Sequence, residues 1–266
     1  MITTDYVIGS PCWVELTTSD VDAAAEFYRR VFGWEAVSAG PETGGYMLLR
    51  SEGETVGGLG PKMAQDQPVA WSIYFNTLDV DASVQRAKEL GATVYVEPME
   101  VMDLGRMAYL GDPQGGAVSL WQAGTLPGME RTDEPNTFMW AELWTPSQQG
   151  AKDFYEGLFS WEFNDVELPG GGGTYSTIRP AGLGEDRYFG GMTVTEPTQL
   201  PQTAGRADWH PVFQVADCDA SATAVRRAGG QVRTGPVDMP GAGRMAVCFD
   251  PSSAVFVLLD PGTGRD

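Results

Sequence analysis

Internal repetition is the feature that most restricts what this chain can fold into. Residues 13–35 read WVELTTSDVDAAAEFYRRVFGWE and residues 140–162 read WAELWTPSQQGAKDFYEGLFSWE. Trp13/Trp140, Glu15/Glu142, Leu16/Leu143, Phe27/Phe154, Tyr28/Tyr155, Phe32/Phe159 and Trp34/Trp161 coincide at a constant shift of 127. A second stretch repeats at a shift of 138, where WSIYFNTLDVDA from Trp71 matches WHPVFQVADCDA from Trp209. The same shift pairs the Gly-Arg-Met-Ala runs that begin at Gly105 and Gly243, and Asp112-Pro113 with Asp250-Pro251. The chain is a tandem duplication. The expected boundaries are 1–124 for the first domain, a linker over 125–136 and 137–266 for the second. The difference between the two shifts falls on ELPGGGGTYS (167–176) and on Thr195–Ala207, which read as lengthened loops.

A coarser repeat lies within each copy. Trp13–Thr18 alternates like a strand, Ser19-Asp20 offers an N-cap, and VDAAAEFYRRVF has apolar residues at helical spacing. Trp71–Thr77, Asp79 and VDASVQRAKELG repeat that order, with Gly91 as the stop. Three β-like runs follow, Thr93–Val96, Arg106–Leu110 and Ala117–Trp121, with Asp112-Pro113-Gln114-Gly115 as a turn between the last two. The half-module is therefore βαβββ, used four times. The expected fold class is α+β: two tandem domains, each of paired βαβββ modules forming a cupped mixed sheet.

These modules resemble the vicinal oxygen chelate superfamily, which includes glyoxalase I, extradiol dioxygenases and the bleomycin- and fosfomycin-resistance proteins. The resemblance rests on DVDAAAEFYRRVFGW (20–34) with its copy, and on Gly105–Pro113 with Gly243–Pro251, and it spans nearly the whole chain. It is nearest to a two-domain subgroup labelled glyoxalase-like or hydroxylase. The resemblance implies one divalent metal in each cup, held by His or Gln on first strands and Glu on fourth strands. Carried over, the first-strand positions fall on Trp13, Trp140, Ser72 and His210. The last-strand carboxylates fall on Ser119 and Val257, and the remaining positions lie near Val56-Gly57-Gly58 and Phe189-Gly190-Gly191. His210 is the chain's one histidine, and a divalent ion of this kind needs three or four donors. The expectation is no metal and no cofactor.

Alternation along strands then decides what lines the cups. Trp13 shares a face with Glu15 and Thr17, and Trp140 with Glu142 and Trp144. Ser72, Tyr74 and Asn76 share another, as do His210, Val212 and Gln214, and Ala117, Ser119 and Trp121. Aromatic walls with a few polar groups suit a planar or hydrophobic organic molecule. Metal-independent binding of such a molecule, for sequestration or hand-off, is the leading expectation. The alternatives are a lyase, isomerase or hydroxylase-like enzyme using Glu15, Glu142 or His210, and a scaffold whose tryptophans simply fill the cups. Glu142, between Trp140 and Trp144, should be the drier carboxyl and the more often protonated. Arg106 and Arg244 either neutralise an acidic ligand or pair with nearby carboxylates. The pockets could form within one copy or between copies.

Composition narrows the partners. A net charge of −19 argues against nucleic acid, whose binding rests on Lys and Arg at phosphates. No run of 18 apolar residues suggests a membrane helix. MITTDYVIGS lacks the pattern of a secretory signal, and three scattered cysteines without a CxxC suit a reducing compartment. The expected location is the cytoplasm, and the oligomeric state is open.

Overall fold

In the computed structural model, which describes residues 1–65, 67–168 and 172–262, each long helix opens on a side-chain cap. Asp20, Asp79, Ser147 and Asp217 cap α1 (Val21–Phe32), α2 (Val80–Glu89), α3 (Gln148–Phe159) and α4 (Cys218–Arg227). Each oxygen accepts the N–H three residues on, which satisfies one of the donors a helix start leaves open. The C-terminus of α1 ends at Gly33 with φ 75°, and that of α3 at Ser160 with φ 58°, so the second copy places a side chain where glycine suits the left-handed turn.

The first four-strand set is β1 (Pro11–Thr18), β2 (Glu35–Ser38), β3 (Met47–Ser51) and β4 (Glu54–Pro61). The second is β5 (Ala70–Asn76), β6 (Thr93–Val101), β7 (Gly105–Gly111) and β8 (Ala117–Ala123). In the second copy the sets are β9 (Phe138–Thr145), β10 (Glu162–Glu167), β11 (Thr174–Arg179) and β12 (Gly190–Val194), then β13 (Asp208–Gln214), β14 (Gln231–Met239), β15 (Gly243–Phe249) and β16 (Val255–Asp260). One helix follows the first strand of each set, so the βαβββ module occurs four times. Two eight-stranded sheets result, ordered β2-β3-β4-β1-β5-β8-β7-β6 and β10-β11-β12-β9-β13-β16-β15-β14. The first and last strands of each module pair in parallel, and the other pairings within each module are antiparallel. The fold is α+β, as the repeat implies. The loop expected over 167–176 is shorter than that, because Glu167 belongs to β10 and Thr174–Ser176 to β11, while Thr195–Ala207 connects β12 to β13 through two short 3-10 turns; residues 169–171 lie outside the described residues.

Compactness follows a different grouping from the sheets. One unit comprises Met1–Cys12, Ile73–Gly128 and Trp140–Trp209, and the other Trp13–Ser72, Met129–Met139 and His210–Asp266. Each unit therefore combines a module from each copy. In the second unit Phe27, Phe32, Trp34, Trp71 and Phe256 surround Tyr28, with Tyr28 and Trp71 edge to face at 5.4 Å, and Phe213 packs on Trp34. Trp71 Nε1–H donates to the Tyr28 hydroxyl (3.0 Å), which donates to Asp250 Oδ2 (3.3 Å). Asp250 Oδ1 accepts the N–H groups of Ser252 and Ala254. The first unit repeats the relay: Trp209 donates to Tyr155 (2.6 Å), which donates to Asp112 Oδ2 (2.9 Å), whose Oδ1 accepts from Gln114 and Gly116. Burial pushes both aspartates above the ordinary carboxylate range, opposed by these hydrogen bonds. The Asp-Pro turn is thus also a buried anchor, and its tyrosine comes from the other copy's Phe-Tyr motif.

Candidate functional site

On β1 the alternation divides as the sequence implies: Val14 and Leu16 are fully buried, while Trp13, Glu15 and Thr17 take the opposite face. Glu15 is in register with Gly58 of the parallel neighbour β4. The space that glycine leaves is filled by Tyr46, whose hydroxyl would collide with a Cβ at Gly58 and whose ring would crowd one at Gly60. Trp13 Nε1–H donates to the Tyr46 hydroxyl (3.1 Å), and that hydroxyl donates to Glu15 Oε2 (2.7 Å).

The second copy builds the same triad. Ala141, Leu143 and Thr145 of β9 are wholly buried, and Trp140, Glu142 and Trp144 face the other way. Glu142 is in register with Gly191, where a Cβ would meet the Tyr175 hydroxyl. Trp140 Nε1–H donates to Tyr175 (2.8 Å), and Tyr175 donates to Glu142 Oε2 (2.6 Å). Enclosure by protein pushes the Glu142 carboxyl up to about 8, against the lowering effect of Tyr175 and Trp140. Burial and the Glu142 charge raise the Tyr175 hydroxyl well above its ordinary value.

The other sequence-selected residues are placed as follows. In the first unit Tyr74 and Trp121 share a face, edge to face at 6.4 Å, and Tyr74 is in register with Ser119. The Trp121 indole donates to Leu126 O, and Asn76 Nδ2 donates to Tyr6 O, so both polar ends brace local backbone. In the second unit His210 is fully buried on β13, with Gln214 half-buried on the same face and Val212 in register with Val257. Arg106 pairs with Asp81 and Glu100, and Arg244 with Asp219 and Asp238. Of the two expectations for these arginines, pairing with nearby carboxylates matches the geometry. The sequence reading missed Tyr46 and Tyr175, although each follows a glycine run, in GGYMLL and GGTYST.

The donor set can be tested against the metal that the fold implies. Trp13 and Trp140 offer indole N–H groups, which donate and have no lone pair for a cation. Ser72, Ser119, Val257 and the two glycines supply no carboxylate or imidazole, and the glycine sites are filled by tyrosine hydroxyls. Among the described residues no group of three or more His, Cys, Asp or Glu side chains could hold a metal ion. These residues do not fit a divalent metal. Nor is any helix among the described residues long and apolar enough to cross a membrane.

With the four modules and the paired triads in place, comparison with known proteins defines the class. The model of the glyoxalase/bleomycin resistance protein/dioxygenase superfamily matches residues 11–120 and 137–258, and the chain belongs to that superfamily. It is 36% identical over 263 residues to the provisionally named glyoxylase CFP32 of Mycobacterium bovis, covering 97% of both chains. It is 34% identical over 273 residues to the anthracycline biosynthesis protein DnrV of Streptomyces peucetius, covering 97% of this chain and 95% of that one. Among solved structures it is similar to the 2,3-dioxygenase LapB of Pseudomonas sp. KL28, with TM-score 0.63, 13% identity and coverage of 96% and 93%. It is likewise similar to the Mn(II)-bound glyoxalase of Novosphingobium aromaticivorans, with TM-score 0.63, 16% identity and coverage of 96% and 82%. Those two likenesses concern the fold alone.

Proposed function

We propose that this chain binds a hydrophobic or aromatic small molecule without a metal. The observation that carries the reading is the Trp–Tyr–Glu triad, present twice, where the superfamily positions would otherwise carry metal donors. Each triad presents an indole wall beside a hydrogen-bonded carboxyl, the mixture of broad aromatic surface and few polar groups that organic ligands require. Trp144 extends the wall in the first unit, and Tyr74 with Trp121 forms another aromatic surface there. A relative named for anthracycline biosynthesis supports the reading, because anthracyclines are planar fused-ring aromatics.

Titration of tryptophan fluorescence with planar aromatic compounds, checked by calorimetry, tests this. Saturable quenching is expected, with Trp140→Ala weakening binding by about 1 kcal/mol beyond the loss of buried area. Elemental analysis should find no stoichiometric zinc, manganese, nickel or iron. One metal per chain, or no binding across a varied aromatic library, overturns the reading.

A second reading is favoured by one observation. A carboxyl titrating at about 8 is poised for proton transfer near neutral pH, so Glu142 suits a general acid or base in a lyase or isomerase. Turnover of a bound ligand that is lost in Glu142→Gln while binding persists would favour the enzyme.

A further inference from the structure

On β7 and β8 of the first unit, Ala108, Leu110 and Leu120 are fully buried to one side. The other side carries Tyr109 and Ser119, in register with each other and with Tyr74 of β5, and Trp121 opposite Met107. Ser119 is 1% exposed, yet its Oγ makes no hydrogen bond with a described residue. A buried hydroxyl costs stability unless something satisfies it. Tyr109 packs on Tyr95 with ring centres 5.4 Å apart, and its hydroxyl too has no hydrogen-bond partner among the described residues. Arg206 stands at the turn that joins β7 to β8, its stem over Gly115, where any Cβ would strike it. In a chain of net charge −19, Arg106, Arg131 and Arg244 each pair with two or more carboxylates. Arg206 is exposed, donates Nε–H to Thr203 O (2.9 Å) and pairs with no carboxylate of a described residue.

We propose that this face takes a fused-ring aromatic carboxylate that also bears a ring oxygen. Arg206 and the Tyr109 hydroxyl donate to the acid group, Ser119 Oγ donates to the ring oxygen, and Tyr74 with Trp121 flanks the rings. This rests on the aromatic-ligand reading and names the chemistry of its Tyr74–Trp121 surface. Ser119 lies four residues from Gly115 along the hairpin, roughly 13 Å at strand spacing. A single ring is too short to reach Arg206 from there, whereas the arginine stem and two or three fused rings span the gap together. The Arg206 charge acts on the Tyr109 hydroxyl, which burial nevertheless pushes up to about 12, so that hydroxyl remains a donor at neutral pH. An unpaired guanidinium beside a neutral donor selects an anion that the rest of this acidic chain repels.

Three probes of similar shape separate the inference from the reading beneath it: anthraquinone-2-carboxylate, its neutral carboxamide, and anthracene-2-carboxylate, which lacks the ring oxygens. Their dissociation constants are measured at pH 7 on the full chain. Wild type is expected to bind the quinone acid roughly tenfold more tightly than the amide, the worth of a charge-assisted hydrogen bond. It should bind the quinone acid about fivefold more tightly than the anthracene acid, the worth of a neutral one. Arg206→Gln should reduce the acid-over-amide gap below about threefold and leave the ring-oxygen gap in place. Ser119→Ala should do the reverse, and Tyr109→Phe should narrow the acid-over-amide gap alone. Arg227→Gln removes the same charge from an exposed site on α4 in the other unit and should leave both gaps unchanged. Equal affinity of wild type for acid and amide overturns the inference and leaves aromatic binding standing. So does an acid-over-amide gap that survives in Arg206→Gln or disappears in Arg227→Gln. A ring-oxygen gap that survives in Ser119→Ala does the same, since water then satisfies that hydroxyl. Failure of all three probes to bind overturns both readings.

Discussion

The two copies make the same triad by different backbone routes. Tyr46 precedes β3, at the end of a turn in which its N–H donates to Thr43 O, and its ring lies across both Gly58 and Gly60. Tyr175 is a strand residue of β11, in register with Thr193, and Gly191 makes room for its hydroxyl. The first-copy pairing of β3 with β4 slips between Leu49 and Arg50, whereas β11 and β12 pair without interruption over Tyr175–Ile178. The hydroxyl nevertheless ends within 2.7 Å of the glutamate in one copy and 2.6 Å in the other. What is common to the copies is therefore the placement of three polar atoms rather than the path of the chain that supplies them. The difference lies in their surroundings: Glu142 sits between two tryptophans on its face and Glu15 between Trp13 and Thr17.

The sharpest way to break the likeness is through the buried relays that anchor each unit. Tyr155→Phe strands a buried aspartate and a buried indole N–H, and should cost about 3 kcal/mol in urea unfolding. Tyr28→Phe should cost less, because its bonds to Trp71 and Asp250 are the longer ones, 3.0 and 3.3 Å against 2.6 and 2.9 Å. Equal losses would show that bond length does not order the two relays. Next come the glycines: Gly191→Ala and Gly58→Ala each force a tyrosine hydroxyl out of its slot, at roughly 2 kcal/mol. Both should also reduce the quenching of tryptophan fluorescence by aromatic ligands. The larger loss is expected for Gly58→Ala, since Gly60 also hems in the Tyr46 ring.

A pH series sharpens the contrast between the glutamates. The unfolded chain releases the Glu142 proton near 4.5, and the folded state retains it to about 8. Unfolding therefore releases a proton between those values, and the contribution to stability, fully present below about 4.5, is lost as pH rises to 8. Glu142→Gln should remove that decline, so that the variant gains on the wild type as pH rises. A wild-type stability curve unaltered by the substitution across this window would exclude a raised carboxyl. The smallest expected effect is at the helix ends. Ser160→Gly gives α3 the residue that α1 already has at Gly33, and relief of the left-handed strain should add about 0.5 kcal/mol. A thermal melt resolves that gain, and a loss instead would mean the Ser160 side chain contributes more than the strain removes.

The architecture was legible in the sequence because helical and strand periodicities survive duplication. Leu16/Leu143 and Phe75/Phe213 occupy buried faces whose alternation can be read directly. The opposite strand faces were legible for the same reason: Trp13 and Glu15 share one on β1, and Trp140 and Glu142 share one on β9. The tyrosines were not, because loop-length differences slide the register between them. Glu15 and Glu142 are 127 apart, Tyr46 and Tyr175 are 129, and Gly58 and Gly191 are 133. A constant shift cannot align all three, although in space they converge. The partnership of Tyr28 with Asp250 was illegible for a different reason. Both motifs were visible, but a contact spanning 222 residues leaves no local pattern.

That long span has a consequence for how the protein is made. The unit containing Tyr28 requires residues from His210 onward, so on the ribosome α1 emerges long before Asp250 and Phe256 exist. Its aromatic face of Phe27, Tyr28 and Phe32 meets Trp34 and Trp71 early but waits through most of synthesis for Phe213, Phe256 and Asp250. The other unit is complete once Trp209 has been added and closes first. Late, distant closure of this kind slows folding and exposes sticky surface meanwhile. Truncation anywhere after Trp209 should thus yield a chain that aggregates rather than a shorter soluble protein.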